Sequence, residues 1–278
     1  MKIHALGAAA ALALAGAAPA YAQSAADWTG PYVGGFVGYS TGSDDGDETL
    51  LFDKDLDGAY DDQILTPAGT NAFSPGFCGG KANTALAADG CEDDDDGFSG
   101  GVRAGYDWAV SDSFVLGVVG EVDFTNVTDS VTGFSTTPAN YVFNRDLEHV
   151  AAIRARAGYA TGPMLIYATG GYAMGKVENS FTTTNGANSF TATSDDDKAD
   201  GYQLGGGVEY NWGGGWSLVG EYLYTSLDVD DHNIRVGPGT APATNPFILA
   251  PNTTGTDMIR SNDSFDVHSV RVGLNYRF

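Results

Sequence analysis

Read with a period of two, this chain holds eight alternating stretches, and the connections between them come in two sizes that alternate strictly. The stretches lie near 30–41, 98–110, 114–127, 147–160, 164–178, 200–212, 216–228 and 265–278. After the second, fourth and sixth come tight turns, Ser111-Asp112-Ser113, Thr161-Gly162-Pro163 and Gly213-Gly214-Gly215. The other connections, 42–97, 128–146, 179–199 and 229–264, are long and polar. A sheet that puts all its short turns at one end is laid out as a membrane-spanning barrel, whose tilted strands need about 9–11 residues to cross. The expected fold is therefore all-β, an eight-stranded antiparallel up-and-down transmembrane β-barrel with short turns in the periplasm and long loops outside. A soluble sandwich also has alternating strands. It gives no reason for Trp28, Trp108, Trp212 and Trp216 to fall at one end, where a barrel needs an interfacial girdle. Tyr39, Phe124, Tyr202 and Tyr224 are placed for the opposite girdle.

The alternation also sorts residues between lipid and lumen. In the last stretch Val270, Val272, Leu274, Tyr276 and Phe278 share one face, and Ser269, Arg271, Gly273, Asn275 and Arg277 the other. The same sorting turns Ile153, Tyr159, Leu204 and Val208 outward; the fifth stretch, with Gly170-Gly171, fits either register. The inward set then contains Arg103, Arg154, Arg156, Arg271 and Arg277 against Asp107, Glu121, Asp123, Glu209 and Glu221. Charges removed from water cost several kcal/mol each unless paired, and an eight-stranded barrel is only wide enough to be filled by side chains. A paired network plugging the lumen is therefore expected over a water-filled channel lined by solvated charges.

Lys2 and His4, the apolar run Ala5 to Ala18 and the Ala20-Tyr21-Ala22 end read as a secretory signal over 1–22, leaving 23–278 as the barrel domain with its long acidic loop 42–97. The formal charge of −23 argues against nucleic acid as a partner. In an exported chain the pair Cys78 and Cys91 is most simply a disulfide.

The closing stretch Arg271-Val272-Gly273-Leu274-Asn275-Tyr276-Arg277-Phe278 resembles the C-terminal signal read by the outer-membrane assembly machinery, with Arg271, Gly273, Tyr276 and Phe278 at its key positions. The opening Trp28-Thr29-Gly30-Pro31-Tyr32-Val33-Gly34-Gly35 and the segment Tyr167-Ala168-Thr169-Gly170-Gly171-Tyr172 resemble the small porin-family or opacity-type outer-membrane surface proteins of alphaproteobacteria. That resemblance implies a barrel like the OmpA transmembrane domain, located in the outer membrane of a Gram-negative envelope. It implies contact with outer-membrane lipids, lipopolysaccharide and the barrel-assembly machinery, and pore activity in some members. The long acidic first loop departs from the family pattern. No periplasmic domain, and hence no peptidoglycan tethering, is expected after Phe278.

Loop 42–97 carries fifteen acids against Lys54 and Lys81. Within it Asp53-Lys54-Asp55-Leu56-Asp57-Gly58 reproduces the first half of a calcium loop; Ile64 stands at the twelfth position, so Asp61 or Asp62 would have to complete the shell. The plainer expectation is a solvated, self-repelling loop. No cofactor is expected apart from calcium at that stretch. The mature chain has only His149, His232 and His268. Ser269 follows His268 and so points to the other face, while His149 is expected to approach His268 near the outer rim. No enzyme activity is expected. The leading expectation is a structural and surface-interaction protein with a plugged lumen and an unidentified extracellular ligand. A small diffusion pore is the alternative, and a lipid-modifying barrel enzyme the more remote one.

Overall fold

The computed structural model describes residues 25–42, 48–194 and 197–278. The leader expected over 1–22 lies outside them, as do Asp44, Asp45 and Asp47 of the acidic loop. Eight long strands form the body: β1 Gly30–Gly42, β2 Gly97–Ala109, β3 Phe114–Ser135, β4 Ala139–Thr161, β5 Met164–Thr183, β6 Lys198–Gly213, β7 Trp216–Val229 and β8 Ser264–Arg277. Each pairs antiparallel with the one before and the one after it. Strand β1 pairs with β8 from Tyr32↔Arg277 to Gly42↔Val267, so the ring of pairings returns to its start. Closure leaves the ring of eight strands no edge, the condition it must meet in hydrocarbon, where no water takes an unpaired N–H or C=O. The β6–β7 turn can be so short because Gly213, Gly214 and Gly215 have φ of 101°, 65° and 84°, in the left-handed region that side chains disfavour.

Exposure alternates as the period of two requires. Val270, Val272 and Leu274 point outward, and Ser269, Arg271 and Asn275 are buried. In β5 the ambiguity is resolved: Leu165, Tyr167 and Ala173 face the lumen, while Ile166, Tyr172 and Met174 face out. Trp108, Trp212 and Trp216 are exposed at the short-turn end, but Trp28 is not part of that girdle. It ends a 3-10 turn, Ala25–Trp28, and is buried beneath Arg277, whose guanidinium lies 5.6 Å from its ring.

Two expectations about the long connections are corrected. The stretch 128–146 is no polar loop: β3 and β4 continue pairing to Ser135↔Ala139 around Thr136-Thr137-Pro138, a hairpin standing beyond the length needed to cross. Its alternation fades because residues 130–134 are buried on both faces, and strands covered on both faces lose the two-residue pattern. Nor does the described part of loop 42–97 behave as a solvated, self-repelling chain. Four short strands, Ser189–Ala192, Ile234–Gly237, Thr256–Arg260 and Leu50–Asp53, pair in that order into a second antiparallel sheet. Leu50, Phe52, Ile64 and Phe73 from the acidic loop join Tyr141, Phe247 and their neighbours in one apolar core. Each connection alone has too little apolar surface to offset ordering; pooled, they form a cap.

Candidate functional site in the lumen and the loop cap

Parity along the strands aims alternate side chains at the lumen axis, and the register then sets charges opposite one another. Arg103 is paired across the ladder with Glu121, and Glu221 with Arg271. All ten predicted charges meet inside, none with a side chain more than 8 % exposed. They form two levels. Nearer the short turns, Arg156 Nη2 donates to Asp107 Oδ2 and Glu209 Oε2, both at 2.9 Å, and Arg277 Nη2 donates to Asp107 Oδ2 at 2.8 Å. Ser217 Oγ donates to Glu209 Oε1 at 2.6 Å and Asn275 Nδ2 to the same oxygen at 3.1 Å. Gly117 has no side chain because a Cβ there would sit 2.0 Å from Asp107 Oδ1.

In the second level Glu121 accepts from Arg271 Nη1 at 2.7 Å and from Arg154 Nη2 at 2.6 Å, while Arg271 Nη2 reaches Asp123. Glu221 lies 3.5 Å from Arg103 and 3.6 Å from Arg154. Aromatic faces add to the carboxylates around four of these arginines. Phe36 lies between Arg103 and Arg271, 4.8 and 4.7 Å from its centroid, and Tyr32 between Arg156 and Arg277. Tyr167 links the levels: its hydroxyl donates to Glu221 at 2.9 Å and its face lies 4.7 Å from the Arg156 guanidinium. Apolar layers close both ends of the network. Trp28, Val115, Leu165 and Val219 lie on the short-turn side, and Val127, Leu147, Leu227, Phe265 and Val267 on the loop side. Of the residues in the terminal motif, Arg271 belongs to the network, Gly273 faces the lumen beside Phe36, and Tyr276 and Phe278 face outward.

Where the barrel meets the cap, a second charged cluster joins positions that no sequence spacing connects. Arg260 forms a two-pronged pair with Glu48, 2.6 Å on each prong, and reaches Asp129 at 2.7 Å. Arg145 stands 3.8 Å from Asp129 and donates to the carbonyls of Asn262 and Ser264. Burial pushes the Glu48 carboxyl up; burial and then the Arg260 charge draw Arg145 down to about 10. Beside them burial pushes Asp94 up to about 6, opposed by hydrogen bonds from Ser130.

In the cap, Cys78 and Cys91 form a disulfide. It joins the strand Gly76–Gly79, paired with β3, to the two-residue strand Cys91–Glu92, paired with Lys81–Ala82. Of the predicted calcium ligands, Asp53, Asp55 and Asp62 bring carboxylate oxygens within 4.8 Å of one another. Asp57 and Asp61 stand outside that group, and Asp57 accepts from the Ala59 N–H at 2.8 Å. Asp53 accepts from the N–H groups of Leu56, Asp57 and Gly58, closing the turn on itself. The expected approach of His149 to His268 is not made. Strands β4 and β8 lie four places apart in the ring of eight, so the two rings stand on opposite sides of the barrel. His268 Nδ1 is 2.7 Å from the Tyr222 hydroxyl, and Ser269 points inward to Ser40.

The outer membrane protein beta-barrel domain matches residues 8–278. This chain belongs to the outer-membrane β-barrel family. A 31 kDa outer-membrane immunogenic protein of Brucella melitensis is 34 % identical over 231 residues, covering 78 % of this chain and 85 % of that protein. A 22 kDa outer membrane protein of Rhizobium leguminosarum bv. viciae is 30 % identical over 174 residues, covering 62 % and 72 %. Among solved structures, OprG from Pseudomonas aeruginosa aligns over 90 % of this chain and 97 % of its own at 13 % identity, with a TM-score of 0.47. The family places this barrel in the outer membrane of a Gram-negative cell.

Proposed function

We propose that this outer-membrane barrel is a structural and surface-interaction protein whose lumen is closed and whose exposed cap carries recognition. One observation carries the reading: five buried arginines and five buried carboxylates pair inside the ring, between two apolar layers. An eight-stranded barrel leaves room for side chains and little else. Opening a path through it would unpair charges that cost several kcal/mol each to leave buried alone. The reading assigns no catalytic step. It leaves contact with membrane lipid and lipopolysaccharide to the outer wall, and ligand contact to the cap. Proteoliposome swelling tests it: vesicles with refolded protein should swell in small sugars and amino acids no faster than empty ones. Swelling that rises with protein content and falls with solute size would establish the diffusion-pore reading instead.

A second reading concerns the turn Asp53 to Gly58. The convergence of Asp53, Asp55 and Asp62 supports a calcium ion of the weak, extracellular grade. Terbium luminescence sensitised by the protein and displaced by calcium should saturate, and should be lost in Asp55→Asn. Absence of saturable signal from the parent protein would remove calcium from the account.

A further inference from the structure

A cavity of about 240 Å3 opens in the cap, and all four long connections contribute to it. Phe73 comes from the first, Thr136, Thr137 and Tyr141 from the second, Asn185 and Gly186 from the third, and Asn245 and Phe247 from the fourth. A dent between two neighbouring loops is a common by-product of packing; this one exists only when the whole cap is assembled. Its floor is aromatic, with Phe73, Tyr141 and Phe247 packed at 5.2 to 5.9 Å from one another. The walls are set by amides: Asn185 Nδ2 donates to the Tyr141 hydroxyl and to Asn188 Oδ1, both at 3.0 Å, and Asn245 Nδ2 donates to Asn188 Oδ1 at 2.9 Å. Thr136 and Thr137 stand exposed at the rim beside Thr184, whose Oγ1 accepts from the Asn140 N–H at 3.0 Å and keeps its own proton for a ligand.

The charge of the lining decides the ligand class. The chain has 36 acids and 13 lysines and arginines, yet among the described residues none of them lines the cavity. A cation would meet no carboxylate and an anion no positive group. An acyl chain would cover the hydroxyls of Thr136, Thr137 and Thr184 without giving them a hydrogen bond, which costs free energy. Hydroxyls that can donate or accept, above an apolar floor, match a neutral ring with a hydroxyl edge and an apolar face. The volume is below the roughly 300 Å3 at which ordinary small-molecule pockets begin, so one ring fits and a chain of rings does not. We propose that this cavity binds a single neutral sugar residue, presented as the end of a glycan outside the cell. The inference rests on the surface-recognition reading of the cap and names the chemistry it recognises.

Saturation-transfer NMR on the full chain in nanodiscs tests it, with glucose, galactose, mannose and N-acetylglucosamine as probes and glucosamine and glucuronate as charged counterparts. At least one neutral sugar should saturate, and its charged counterparts should bind about tenfold more weakly or worse. Gly186→Trp should abolish the signal. Gly186 lines the cavity and a Cβ there meets nothing within 4 Å, so the backbone accepts a side chain at that point without a clash. Thr136→Val with Thr137→Val, both exposed, should weaken binding about tenfold with the cap still resistant to protease. No saturable binding of any neutral probe to the parent protein would overturn the inference, as would undiminished binding to both variants. A closed barrel that binds no sugar loses only this inference; a conducting barrel that binds sugar loses only the closed lumen.

Discussion

Glu121 joins two arginines in the second level of the interior, accepting hydrogen bonds from both Arg154 and Arg271, as Asp107 does from Arg156 and Arg277 in the first. Replacing Glu121 by Ala leaves two buried guanidinium groups short of a partner, a loss of about 3–5 kcal/mol where a buried pair is broken. Urea unfolding of the barrel in lipid vesicles should show the Glu121→Ala midpoint falling accordingly, and an unchanged midpoint would mean that water already solvates these charges. The ten charges were legible because strand parity put them on one face. Tyr32, Phe36 and Tyr167 were not: an inward aromatic is the same residue type as a lipid-facing one, and Gly170-Gly171 hid the β5 register. A second test at this scale concerns Asp94. Burial pushes it up to about 6, so the folded cap holds that proton more tightly than an unfolded carboxyl of about 3.9 does. The resulting stabilisation is present below about 4 and is lost as pH rises through about 6. Hydrogen exchange over 91–96, corrected for intrinsic rates, should therefore quicken between pH 4 and 7, and Asp94→Asn should flatten that change.

At the level of elements, the cap is the part that pattern reading resolved least. Its core draws Phe52 and Phe73 from the first connection, Tyr141 from the second and Phe247 from the fourth, so no window of sequence contains enough of it to show a period. The Arg260–Glu48 pair spans 212 positions and is invisible to spacing for the same reason. Phe73 touches four rings, those of Phe52, Phe77, Tyr141 and Phe247. Phe73→Ala should cost the cap about 3–5 kcal/mol by opening a cavity in its core. Limited proteolysis should then cut within 48–96 while the ring of strands stays intact; uncut loops would show that the cap does not depend on this core. The disulfide acts more locally. Closing the segment from Cys78 to Cys91 is worth about 3 kcal/mol on the chain-entropy account. Because the cap core lies outside that segment, Cys78→Ser with Cys91→Ser should expose 79–90 to protease and leave Leu50 to Phe73 protected.

For the molecule as a whole, the alternation of short turns and long connections was enough to foresee the strands and their order, since each strand of a barrel must be long enough to cross and must keep one parity while it does. How the long connections fold against one another depends on contacts between distant positions, and those the pattern does not encode. Along the barrel an apolar cluster, two levels of ion pairs and a second apolar cluster follow one another below the cap core, and the proposed closed lumen rests on that sequence of layers. Planar-bilayer recording of the purified, refolded full chain at neutral pH decides whether the proposed closed lumen conducts. A closed lumen gives no steady channel in the large majority of insertions verified by heat-modifiable migration, with steps appearing only when the interior pairs are broken, as in Glu121→Ala. Stable open channels of uniform conductance from the parent protein in most insertions would contradict it.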